Sequence, residues 1–142
     1  MPVEEPKVGQ LVEHHFLWAD ERAAGQIEGR KSRPCLIVAV EPQAGGEHRV
    51  TVLPITSQAP RSRTGTVPVP DEVKVHMGLD QRRPAWIMVE EANVFTWPGF
   101  DLVPQPGGRF ARGVITRGLF VQVRAAVLSA QESQRSRLVD RD

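Results

Sequence analysis

The sequence predicts a mainly β protein: a small, partly open barrel with one substantial α-helix near its end and a short helix between strands. Three observations carry this. Aliphatic and β-branched runs of strand length recur between polar loops. Glycine and proline punctuate the chain at nearly every junction. A helical rhythm of apolar residues occurs once at length, so the βαβ alternation of a wound parallel sheet is missing.

Taken in order, Lys7–Trp18 reads as a first strand with Gly9 at its start. The polar, glycine-containing stretch Ala19–Ser32 reads as a long loop. Pro34–Val40 is almost unbroken apolar sequence, as expected of a strand buried on both faces. Pro42 and Gly45-Gly46 make a turn into Arg49–Thr56, a β-branched strand expected to end or bulge at Pro54, and the two strands should form an antiparallel hairpin. After the loop Gln58–Gly65, Thr66–Pro70 carries prolines and reads as an edge strand. Asp71 is expected to cap a short helix over Glu72–Met77 that Gly78 stops. Ala85–Phe95 reads as one further strand, turned by Trp97-Pro98-Gly99. From about Val114 to Ala130 the spacing of Phe120, Val123, Val127 and Ala130 predicts a helix that frays into a polar tail, Glu132–Asp142.

At 142 residues the chain fits one domain, 1–142, with a core over about 7–130 and a polar tail over 131–142. Its single cysteine, Cys35, cannot form an internal disulfide and sits in an apolar run, which points to a reducing, cytoplasmic setting. No apolar stretch approaches the ~20 residues of a membrane span, and the acidic start does not read as a signal peptide. The net charge of +1 argues against a strongly basic coat. Its distribution is uneven: Leu102–Gln131 holds Arg109, Arg112, Arg117 and Arg124 and no acid, and Leu53–Pro70 holds Arg61 and Arg63 and no acid. Arginine forks onto phosphate with paired hydrogen bonds, although genomic base composition alone also enriches it.

Several chemistries are poorly served. His14 and His15 are adjacent on a strand and point to opposite faces, so they cannot chelate one ion from one side. No glycine-rich turn ends in Gly-Lys-Ser/Thr, and Cys35 shows no sign of thiolate activation. What remains is a polar set at strand boundaries. Arg33 stands where the first loop enters the most apolar strand, and Thr56 and Ser57 stand where the next strand leaves it. Hairpin pairing would bring Arg33 and Thr56 together across 23 residues, a guanidinium beside a hydroxyl that could cradle a phosphate. From spacing alone, a rim salt bridge at Arg33 and a simple turn at Thr56-Ser57 are the favoured reading.

Three ordered blocks carry a family resemblance: Gly9-Gln10-Leu11-Val12, Arg33-Pro34-Cys35-Leu36-Ile37-Val38, and Val52-Leu53-Pro54-Ile55-Thr56-Ser57. Together they resemble the MazF/PemK toxins of type II toxin–antitoxin systems, with weaker similarity through Gly78-Leu79, Ala85–Val89 and the final helix. The resemblance implies an SH3-like barrel of the MazF/CcdB type, usually a homodimer, that cuts single-stranded RNA without a metal or other cofactor. In such cleavage the 2′-hydroxyl attacks the adjacent phosphorus, leaving a 2′,3′-cyclic phosphate and a 5′-hydroxyl. It further implies a cognate antitoxin, a toxin–antitoxin complex that binds operator DNA, and no membrane partner. By motif, Arg33 would stabilise the phosphorane and take part in proton transfer, and Thr56 would hold the phosphate in line. Ser57, Lys31 and Arg61 are further candidate phosphate contacts, and Trp18 is a candidate platform for an unpaired base. Some relatives use an arginine and an aspartate on the later strand. Here Met88-Val89-Glu90-Glu91 offers acids and no arginine. Glu90 and Glu91 are thus candidate acids, and His14 or His15 a candidate general base. The competing reading is a non-catalytic barrel acting as a protein-binding module, either like the gyrase-poisoning relatives or as an inactive copy. Against the gyrase alternative, the polar C-terminal end has no aromatic anchor.

Overall fold

The computed structural model of the chain describes residues 4–26, 29, 31–61, 64–99 and 101–142. Part of the first loop and Arg63 lie outside the described residues. Among the described residues nine strands form one mainly antiparallel sheet. The elements are β1 (Gln10–His15), a one-turn α1 (Ala19–Ala23), β2 (Ser32–Pro42), β3 (His48–Thr56) and β4 (Thr66–Pro68). They continue with α2 (Lys74–Met77), β5 (Trp86–Met88), β6 (Glu91–Thr96), β7 (Leu102–Val103), β8 (Ala111–Val114), α3 (Arg117–Glu132) and β9 (Arg137–Asp140).

The β2–β3 hairpin expected from the sequence is the spine of the sheet, with β1 on its other side. Alternation sends these strands' side chains into two cores. Leu11, Leu36 and Leu53 pack with Leu119 and Val123 of α3 in one. Val12, Cys35, Ile37, Val50 and Val52 pack with Phe16, Phe95 and Leu102 in the other. Double-sided burial is therefore the reason Cys35-Leu36-Ile37 is continuously apolar.

Pro54 neither ends β3 nor bulges it; the register irregularity lies on β2, between Ile37 and Ala39. Along its outer edge β3 pairs with β6 through Arg49–Val52 and with β5 through Ile55–Thr56, and Pro54 falls in the gap between these partners. The expected single strand Ala85–Phe95 is accordingly two strands, broken at Val89-Glu90. The first strand is shorter than expected, and the first loop contains α1. Asp71 does not cap α2; it opens a 3₁₀ turn over Asp71–Val73 and accepts a hydrogen bond from Lys74 Nζ at 2.6 Å. Gly78 does stop that helix, in the left-handed region at φ 70°.

The largest correction concerns the C-terminal end. Residues 137–140 do not fray: β9 runs parallel to β6, pairing Glu91 with Arg137 and Val94 with Asp140. Val139 is buried there. Arg141 is buried too, in an ion pair with Asp101.

Candidate functional site

Arg33 lies near the start of β2, paired to His14 of β1 on one side. On the other side the ladder runs Ile37–Val52, Leu36–Leu53, Cys35–Pro54. Continued two residues, that register sets Arg33 across from Thr56, the last residue of β3. Both line one open groove of about 360 Å³ at the lip of the barrel, together with Lys31 and Ser57. Four residues proposed from sequence are thereby brought together.

The two reactive groups have distinct surroundings. Arg33 pairs with no carboxylate among the described residues. Its Nε is enclosed without a hydrogen-bond partner, and its guanidinium carbon lies 5.1 Å from the centre of the Trp18 ring. The Thr56 hydroxyl accepts the Gln58 N–H at 3.2 Å, as a turn-opening threonine would. Accepting that bond leaves its O–H free to donate toward the groove.

The far wall comes from a part of the chain that sequence reading passed over. Arg83 and Asp80 face the groove from the segment after α2. That segment is pinned by Lys74, a nearly fully buried lysine whose Nζ bonds the Arg83 carbonyl at 2.7 Å. Arg112 of β8 also lines the groove; it pairs with Glu13 of β1 and donates to the Gly78 carbonyl at 2.6 Å. This tie needs close approach of two backbones: a Cβ on Gly113 would lie 2.3 Å from the Met77 carbonyl carbon. No sequence pattern singles out Arg83, and Arg112 shows only as one of four arginines in an acid-free run, because their place in the groove with Arg33 is made by tertiary packing.

The other proposed residues stand elsewhere. Arg61 is exposed and does not line the groove. His14 is sealed in the core, with Nε2 3.2 Å from Asn93 Oδ1 and its ring stacked on Phe95. Burial, with the nearby Arg141 and His15, lowers its pKa to about 4 against the opposing Asn93 bond. A sealed imidazole cannot take a proton from a substrate at the lip. His15 turns its backbone to β7 and the C-terminal end, its N–H bonding Asp101 O and its carbonyl accepting from Arg141. Glu90 pairs with Arg135 at 2.8 Å. Glu91 accepts the Ala19 N–H at 3.0 Å, and burial raises its pKa. Neither acid lines the groove. Trp18 is also absent from the lining; its ring meets Arg33 and the edge of Phe16 instead.

A mainly β barrel with a cation-rich groove at its lip is the class these features define. A sequence model of PemK-like, MazF-like toxins of type II toxin–antitoxin systems matches residues 14–96, from β1 through β6. The chain belongs to that family of toxins, whose type II systems pair each toxin with an antitoxin. No curated protein gives a significant match to it. Among the described residues no helix is long and apolar enough to cross a membrane.

Proposed function

We propose that this toxin is a metal-independent endoribonuclease that cleaves single-stranded RNA within the groove. The observation that carries the reading is that Arg33, which pairs with no carboxylate among the described residues, and Thr56 line the same open groove. The substrate supplies the nucleophile: the ribose 2′-oxygen bonds to the adjacent phosphorus as the bond to the 5′-oxygen breaks. The 2′-hydroxyl loses its proton, the 5′-oxygen gains one, and the products are a 2′,3′-cyclic phosphate and a 5′-hydroxyl. DNA lacks the attacking hydroxyl and does not react.

Charge accumulates on the non-bridging oxygens in the transition state, where the Arg33 donors stabilise it. Thr56 donates to the same phosphate and keeps attack and departure in line. Ser57 and Lys31 serve the flanking phosphates. In the same reading the toxin forms a homodimer, and its complex with the antitoxin contacts operator DNA.

The test is purified protein with single-stranded RNA in EDTA, beside Arg33→Ala. Wild type should yield fragments with cyclic-phosphate ends. Losing one preorganised donor costs about 10²–10³ in rate, so Arg33→Ala should show no measurable cutting and Thr56→Val a smaller loss. Intact RNA across many sequences with the wild-type protein refutes the assignment.

A further inference from the structure

We propose that Trp18 is a positioning residue for Arg33, a π-clamp that fixes the guanidinium without consuming its charge; the proposal rests on the nuclease reading above. A long, flexible arginine at a rim must be held to act on a phosphate in one geometry. A carboxylate would hold it, but would also compete with phosphate for its N–H donors. An aromatic face holds the cation and leaves those donors unspent. This is the arrangement at the groove: no carboxylate pairs with Arg33 among the described residues, and Trp18 takes its guanidinium at 5.1 Å.

The clamp is itself built on fixed supports. Phe16 meets the Trp18 ring edge-on, with centroids 5.1 Å apart. Buried Asn93 grips both backbone groups of Leu17, receiving its N–H at 2.9 Å and donating to its carbonyl at 2.7 Å. Glu21 accepts the Trp18 N–H at 3.1 Å, and Glu91 accepts the next N–H, of Ala19, at 3.0 Å. Arg141 Nη1 lies 3.1 Å from Asn93 Oδ1, so the C-terminal end braces the same point. Three consecutive residues, Leu17, Trp18 and Ala19, are thus held by side chains distant in sequence or across a turn, and the Trp18 ring lies under Arg33. One face of the ring, a candidate platform for a base, carries the protein's own cation.

The experiment combines steady-state cleavage of a single-stranded RNA with tryptophan fluorescence. Trp18→Leu should lower kcat about 10²-fold with little change in KM, as expected when a reacting group is misplaced by about 1 Å. Trp18→Phe, which keeps an aromatic face and guards against a folding defect, should stay within about tenfold of wild type in kcat. Arg33→Ala should alter the emission of the wild-type protein and leave that of Trp18→Phe unchanged. Wild-type rates in Trp18→Leu overturn the proposal, as does a loss confined to KM, which marks a base platform, or an emission indifferent to Arg33. If the wild-type protein leaves RNA intact, the nuclease reading falls and takes the catalytic role of Trp18 with it. The fluorescence pair then still decides whether the stack exists.

Discussion

His14 is a residue whose chemistry is set by its surroundings. On sequence grounds it is an imidazole near neutral pKa beside a candidate phosphate site. In the fold it bonds Asn93 and stacks on the Phe95 ring with the Arg141 and His15 charges nearby, and burial first of all holds its pKa at about 4 against an ordinary 6.5. Between those values the unfolded chain binds a proton that the folded protein refuses, so stability rises with pH across this window and is lost as pH falls through it. The shift amounts to about 2 kcal/mol between pH 7 and pH 5 from this one group. His14→Gln, which keeps a hydrogen-bonding side chain toward Asn93, should flatten that slope in urea denaturation run at the two pH values. An unchanged slope would mean that the imidazole takes up its proton inside the fold. Glu91, raised by burial, works in the opposite sense and cancels in the comparison of the two proteins.

The C-terminal strand is the element that most changes the picture. Val139 and Arg141 are buried while Leu138 is 59% exposed, so β9 and the residue after it supply one apolar contact and one buried cation. Arg141→Ala leaves Asp101 buried without its partner and should cost about 3–5 kcal/mol, read as a lower denaturation midpoint. Adding Asp101→Leu to that variant should recover much of the loss, because the uncompensated charge goes with it. Taken alone, ESQRSRLVDRD reads as a fraying tail, since a polar strand whose parallel partner lies more than forty residues earlier leaves no local pattern. β7 and β8 are too short to show alternation, and the break at Val89-Glu90 carries no glycine or proline to announce it. β2, β3 and α3 were legible because each is long and apolar on a regular period. The same contrast divides the site. Arg33 and Thr56 follow from hairpin register, a local geometry, whereas Arg83, Arg112 and the Trp18 clamp depend on packing between distant segments.

For the molecule as a whole, a net charge of +1 conceals a sorted distribution. Arg49 is bound to Asp140 and Asp142, Arg82 to Asp80, Arg112 to Glu13, Arg135 to Glu90, and Arg137 to Asp20 and Glu91. Along the groove, Lys31, Arg33 and Arg83 have no acidic partner among the described residues. Positive charge is therefore concentrated along the groove proposed to take the RNA, and the rest of the surface is close to balanced. Binding of a single-stranded RNA carrying a 2′-deoxy sugar at the scissile position, which cannot be cut, should weaken with salt in proportion to the phosphates engaged. Each contact contributes about 0.7 to the log–log slope for a single strand, so three cations predict a slope near −2. Arg83→Ala should make it shallower by about 0.7, whereas Arg124→Ala, at an exposed position of α3 outside this groove, should leave it unchanged. If both substitutions lower the slope equally, the RNA is held by diffuse surface charge, and the groove is not the path of its backbone.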